Sequence, residues 1–150
     1  MPQVRVILGS KSDLPACEPL RQVLDEFGVE HDFHVSSAHR KPQSTVELAQ
    51  DAEKDGVQVI IAAAGMAAHL PGVLASHTVL PVIGLPLASG GLGGLDALLA
   101  IVQMPPGVPV ASVAVGGAKN AALLAVQILA LQDSELREKF RAYKQQLAEG

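Results

Sequence analysis

The chain has no tryptophan, one tyrosine and three phenylalanines, so aromatic residues make up only 3% of its 150 positions. Ala, Val, Leu and Ile must fill the core instead, and such small aliphatic side chains favour close helix-on-sheet packing over a wide lipid-type cavity. There is one cysteine, Cys17. That excludes an intramolecular disulfide and any thiol cluster for zinc, and it suits a reducing cytosol, so the expected location is the cytoplasm. A basic excess is lacking too: the net charge is -4, which gives no support for a nucleic-acid partner. Any anionic ligand must be held by a few local donors rather than by a global field.

Long apolar runs are also missing. The longest, Ala121 to Leu131, is broken by Gln127 and is too short to span a bilayer. The opening Met1-Pro2-Gln3-Val4-Arg5 enters a strand-like run at once, with no charged leader before it, so neither a signal peptide nor a membrane partner is expected. There is no Walker sequence, no G-x-G-x-x-G after a strand and no G-x-S-x-G elbow. No residues stand at metal-ligand spacing, and no metal is expected.

What is present is an alternation. The 49% hydrophobic content suffices for one sizeable core, and the length fits one domain over residues 1–150. Strands are predicted at Val4–Leu8, Glu30–Val35, Val57–Ala63, Pro81–Leu85 and Val110–Val115. Helices are predicted at Leu14–Phe27, Pro42–Asp55, Leu70–Ser76, Leu95–Gln103, Ala118–Leu131 and Ser134–Leu147. Ser12 or Asp13 is the expected cap of the first helix, with Pro15 in its first turn and Gly28 at its end. Alternating elements of this spacing mean βαβ units, a parallel sheet and right-handed crossovers with helices on both faces. Ligands of such sheets bind beyond the carboxyl ends of the strands, so three loops matter most.

The first loop is Gly9-Ser10-Lys11-Ser12-Asp13. It offers a tight turn, two hydroxyls and a helix start with unpaired N–H groups, which suit an anion. Asp13 suits a pair of ribose hydroxyls. An ordinary strand-to-helix turn with Ser12 or Asp13 as cap accounts for the same residues. The second loop is Ser36-Ser37-Ala38-His39-Arg40-Lys41-Pro42. Arg40 is a planar fork for a phosphate, and His39 is a side chain that titrates near neutrality. A solvent-exposed polar turn is the alternative. The third loop is Ala64-Gly65-Met66-Ala67-Ala68-His69-Leu70-Pro71-Gly72. Its small residues let backbone N–H groups approach a carboxylate. His69 there reads equally as a ligand contact or as a hydrogen-bonded structural residue.

Other features carry less. His31 and His34 sit at odd spacing on one strand, so they face opposite sides and cannot chelate together. His77 follows a helix. Cys17 reads as a core residue rather than a nucleophile. Gly90-Gly91-Leu92-Gly93-Gly94 has the wrong spacing for a phosphate loop and reads as a flexible connection. The helix over Ala121–Leu131 is apolar nearly all round, which predicts a homo-oligomer with this helix at an interface; a core helix within one chain is the plainer reading.

The three loops, in this order, resemble the PurE family of N5-carboxyaminoimidazole ribonucleotide mutases and aminoimidazole ribonucleotide carboxylases. The resemblance runs from Val4 to about Asp133. It rests on Gly9-Ser-Lys-Ser-Asp13, Ser37-Ala-His-Arg40, Ala67-Ala-His-Leu-Pro-Gly72, Ile101-Val-Gln-Met-Pro105 and Asn120-Ala-Ala-Leu-Leu-Ala125. It implies a three-layer α/β/α sandwich with a parallel, flavodoxin-like sheet, octamers with sites built at subunit contacts, and no cofactor. It further implies that Ser12, Ser37 and Arg40 hold the 5-phosphate of a ribonucleotide substrate and Asp13 its ribose hydroxyls. Ser10, Gly65, His69 and Leu70 would surround the imidazole and the migrating carboxylate, with His39 as general acid and base and His69 as a second catalytic residue.

In the branch that carboxylates aminoimidazole ribonucleotide directly with CO2, the residues matching Arg40 and His69 tend to be replaced, so this chain resembles the mutase branch. Met66 stands where a glycine is common. Direct carboxylation is the alternative reaction, and a non-catalytic nucleotide-binding domain the alternative class.

Overall fold

The computed structural model describes residues 1–150. Five strands form: β1 (Val4–Leu8), β2 (His31–Val35), β3 (Val59–Ala64), β4 (Val82–Pro86) and β5 (Ala111–Ser112). Six α-helices are interleaved with them: α1 (Glu18–Glu26), α2 (Pro42–Ala52), α3 (Leu70–Ala75), α4 (Leu95–Val102), α5 (Ala118–Leu129) and α6 (Ser134–Glu149). The strands make one sheet in the order β2-β1-β3-β4-β5, and every pairing is parallel. This is the flavodoxin-like order, whose topological switch lies between β1 and β3.

β1 and β3 are buried along their whole length, as near-continuous apolar runs of a two-sided sheet should be. Their side chains alternate between two cores. Val4, Val6, Leu8, Val59, Ile61 and Ala63 join Leu20 and Leu24 of α1, Ala121, Ala125 and Val126 of α5, and Leu136 of α6. Ile7, Ile60, Ala62 and Ala64 join Ala49 of α2, Leu70 and Leu74 of α3, and Ala97 and Ile101 of α4. The result is the expected three-layer sandwich.

Three sequence expectations are corrected. The first α-helix begins at Glu18, not Leu14. A helix running from Leu14 would ask Pro19 for an N–H it lacks; 3-10 turns at Lys11–Asp13 and Pro15–Cys17 come first, and Pro19 falls in the first turn of α1, where no N–H is needed. The cap is Ser10, whose side chain accepts from the Ser12 N–H, rather than Ser12 or Asp13.

The second correction is β5, which shrinks to two residues because only Ile83 with Ala111 and Gly84 with Ser112 pair. The third is α5. Ala118, Ala121, Ala122, Leu123, Ala125, Val126 and Leu129 are buried within the single chain, since α1, α6, β3 and β4 pack around it. Its apolar surface therefore needs no second subunit, and the plainer reading of that helix holds.

Register sets the site. Leu8 lies opposite both Val35 and Ala63, and Ala64 lies opposite Pro86. The chains leaving β1, β2, β3 and β4 therefore emerge at one level along one edge of the sheet.

Candidate active site

A cavity of about 520 Å³ opens at that edge. It is lined by Gly9, Ser10, Ser12 and Asp13 after β1, by Ser37 to Arg40 after β2, by Ala64 at the end of β3 and Gly65, Met66, Ala67 and Leu70 after it, and by Ser89 after β4. All three predicted loops thus converge on one space across the β1/β3 switch point. His69 is absent from the lining but reaches it through His39: Nε2 of His39 lies 2.8 Å from Nδ1 of His69. Their rings meet edge to face, with centroids 4.9 Å apart. One nitrogen of that pair must carry the hydrogen and the other accept it, so the contact couples the tautomers of the two rings.

The loop bearing His39 is pinned from below. Ser36 is buried; its N–H donates to the Leu8 carbonyl, and its hydroxyl lies 2.8 Å from that of Thr45. Thr45 in turn donates to the Lys41 carbonyl. Within the turn, the Arg40 N–H donates to Ser37 Oγ at 3.2 Å. The Arg40 guanidinium reaches across to donate to the Gly9 carbonyl at 3.2 Å, which ties the second loop to the first and poises the cation over the Ser10–Ser12 turn. There the Ser10 and Ser12 hydroxyls are 2.9 Å apart. Two hydroxyls, the start of a 3-10 turn and a guanidinium make a compact anion seat.

Asp13 is buried, at 8% exposure. Burial holds its carboxyl above the usual carboxylate range, and a hydrogen bond with the Ser10 backbone works in the opposite direction. A buried carboxylate without a cation beside it is suited to accept hydrogen bonds from neutral hydroxyls. Burial and the charge of Asp13 push the Cys17 thiol up to about 12, which removes it as a nucleophile and bears out its core assignment.

The loop after β3 is strained. Ala67 has a φ of 44°, in the left-handed region that residues with a Cβ rarely adopt. Its carbonyl accepts from the His69 N–H at 2.6 Å. The Met66 N–H donates to Ser89 Oγ at 3.3 Å, whereas the N–H groups of Gly65 and Ala67 have no partner in the protein. Unpaired donors lining a cavity are places for a carboxylate.

Sequence reasoning missed Ser89. It sits just past the carboxyl end of β4, and the rule that picked out the other three loops also covers that strand. The glycines after it read as a flexible connection. Within them Gly93 and Gly94 take φ values of 65° and 89°, and a Cβ on buried Gly94 would collide with Val115. No group of three or more His, Cys, Asp or Glu side chains stands close enough to hold a metal ion. His31 packs against Phe33, while His34 faces Asp32, consistent with opposite faces of β2.

The chain is similar to several known proteins along its whole length. The AIR carboxylase family model matches residues 3–150. The N5-carboxyaminoimidazole ribonucleotide mutase of Pyrococcus abyssi is 54% identical over 98% of this chain and 84% of its own length. That of Saccharolobus solfataricus is 53% identical over 98% of this chain and 93% of its own. The crystal structure of Treponema denticola PurE matches with a TM-score of 0.90 and 30% sequence identity, covering 99% of this chain and 93% of that one.

Proposed function

The chain belongs to the AIR carboxylase family, and from that premise we propose that it isomerises N5-carboxyaminoimidazole ribonucleotide to 4-carboxy-5-aminoimidazole ribonucleotide in de novo purine biosynthesis, with His39 as the proton carrier. The observation that carries the assignment of His39 is its position: it lines the cavity between the anion seat of Ser10, Ser12 and Arg40 and the unpaired N–H groups of Gly65 and Ala67, with His69 bonded to its ring.

The substrate's carbamate loses CO2 when the N–C bond breaks. Its electron pair stays on the exocyclic nitrogen, which takes a proton from His39. C4 of the ring then attacks the trapped CO2, and the new C–C bond leaves a surplus proton on C4. Neutral His39 removes it. The two transfers cancel, so the cycle returns the enzyme to its starting protonation and draws on no cofactor. CO2 must stay beside C4 between the two steps, which a small, walled cavity favours.

Ser12, Ser37 and Arg40 hold the 5-phosphate, and Asp13 accepts the ribose hydroxyls. Ser10, Gly65 and Leu70 flank the imidazole, and His69 orients His39. Retention of both Arg40 and His69 favours the mutase over the direct carboxylase.

Assembly follows from α4. Leu95, Leu99 and Val102 are 56%, 48% and 47% exposed at i, i+4 and i+7, an apolar stripe opposite the buried Ala97 and Ile101. Such a stripe favours packing against further copies of the chain. The family resemblance points to an octamer, with a mass eight times the 15.5 kDa chain in light scattering. The free, buried Cys17 fits a reducing compartment, the cytoplasm.

A side-by-side assay tests the reaction. Purified protein is offered the carbamate, and separately aminoimidazole ribonucleotide with bicarbonate. Fast conversion of the carbamate supports the mutase; fast conversion of the second mixture alone overturns it.

A further inference from the structure

Ser89 has no part in the mechanism above, yet it lines the same cavity. Its Oγ accepts from the Met66 N–H, which leaves the hydroxyl's own proton without a partner in the protein. A Cβ built on Gly65 would fall on the Ser89 hydroxyl. Gly65 and Ser89 therefore fit as one unit: the backbone of the third loop comes as close to the serine as it does only because position 65 carries no side chain. The unpaired Gly65 N–H and the Ser89 O–H then lie together in the cavity that His39 also lines. Met66, 65% exposed, lies near that pair next to Gly90. Two neutral donors suit a small species that is anionic at the start and end of the reaction and neutral in between.

We propose that Ser89 is the residue that retains the migrating carboxyl group: its hydroxyl donates to a carboxylate oxygen of substrate and product, and to the CO2 released between them. The proposal rests on the isomerase reading. Ser89 takes no proton and forms no bond to carbon. It keeps CO2 from diffusing away after the N–C bond has broken and before the C–C bond forms. Without it, His39 still protonates the nitrogen, but CO2 escapes and aminoimidazole ribonucleotide is left behind.

The test is a partition measurement on the full-length protein. Carbamate is supplied, and the 4-carboxylated product and aminoimidazole ribonucleotide are both quantified, with the spontaneous decay of the carbamate subtracted. For Ser89→Ala, about tenfold more aminoimidazole ribonucleotide per product is expected than for the parent, while Kd for aminoimidazole ribonucleotide itself, which lacks the carboxyl group, stays within twofold. Ser89→Thr, which keeps the hydroxyl, restores the parent ratio to within threefold.

A Ser89→Ala partition equal to the parent's overturns the proposal, as does an equal loss of affinity for the nucleotide without the carboxyl group. Because Ser89 is exposed in a loop, Ser89→Ala should keep the parent melting curve. If it does not, the Ser89→Thr and Ser89→Cys ratios decide, since only a strong donor retains CO2. A parent that makes no 4-carboxylated product from the carbamate overturns the isomerase reading itself, a result the partition ratio cannot mimic.

Discussion

The His39 and His69 rings, 30 residues apart in the chain, meet through a 2.8 Å contact between Nε2 and Nδ1. Two side chains from two loops are thereby locked as one unit, because the register of β1, β2 and β3 brings those loops to one level. A catalytic imidazole gains from such a partner in orientation, since small misplacements of a reacting group are costly.

Removing that partner should slow the reaction without unseating the substrate. For His69→Phe, kcat is expected to fall about 10–100-fold, in line with the cost of losing positioning, while phosphate-end binding holds. Steady-state kinetics with the carbamate, beside calorimetric titration of aminoimidazole ribonucleotide, separates the two effects. A variant with parent kcat would remove His69 from the mechanism.

Arg40 is held against the Gly9 carbonyl but is solvent-exposed, so its contribution is that of an accessible charged hydrogen bond. Arg40→Ala should weaken phosphorylated ligand by about 2 kcal/mol, the middle of the range for bonds to charged groups. The dephosphorylated nucleoside should bind both proteins equally. Equal loss for both ligands would place the phosphate elsewhere.

Asp13 trades stability for binding. Its burial disfavours the charge and holds its carboxyl above the ordinary carboxylate range. Its contribution to stability is therefore fully present below the ordinary carboxylate pKa and is lost as pH rises through the raised value. At neutral pH the ionised side chain costs stability. Asp13→Asn should raise the melting temperature of the free protein by about 2 °C or more, as about 1 kcal/mol does for a domain this size. The same variant should bind ribonucleotide about tenfold more weakly, as the loss of a charged acceptor implies. A lower melting temperature at pH 7 would contradict the burial argument.

A second charged cluster supports the sheet away from the site. Arg5, 5% exposed, donates to Asp32 and Asp55 at 3.0 Å and to the Leu48 carbonyl at 3.1 Å, joining β1, β2 and the end of α2. Burial works against ionisation of Asp32, but the hydrogen bonds from Arg5, with His34 Nε2 3.2 Å away, outweigh it and hold the carboxyl below its ordinary value. That stabilisation is present above the ordinary carboxylate pKa and is lost as pH falls through the depressed one.

Arg5→Met should cost about 2–3 kcal/mol at pH 7, below the figure for breaking a fully buried pair because both carboxylates are partly exposed. The deficit should narrow at pH 3. Urea unfolding at the two pH values measures both, and a constant deficit would show that the lost packing of the arginine stem, not its charge, accounts for the change.

Much of this was legible in the sequence, for identifiable reasons. Val4–Leu8 and Val57–Ala63 announced themselves as strands because a two-faced parallel sheet demands unbroken apolar runs. The loops after β1, β2 and β3 stood out because each ends such a run, or one beside it, in polar or small residues. Ser89 did not, because a serine before four glycines in a stretch of five residues looks like slack chain; only the register of Ala64 with Pro86 shows that β4 delivers it to the same edge. The short β5 was invisible because an apolar run cannot reveal where its ladder partner stops. The burial of α5 within the chain was hidden because periodicity reports how much of a helix is apolar, not which neighbours cover it.

The mechanism turns on one imidazole, and replacing it is the most direct trial. His39→Asn keeps a polar side chain of similar reach but carries no titratable proton. In single turnover with the carbamate, the variant is expected to bind ribonucleotide within about threefold of the parent yet form 4-carboxylated product about 10³-fold more slowly, the usual scale of general acid–base catalysis. Product formation by His39→Asn at close to the parent rate would contradict proton transfer by this residue.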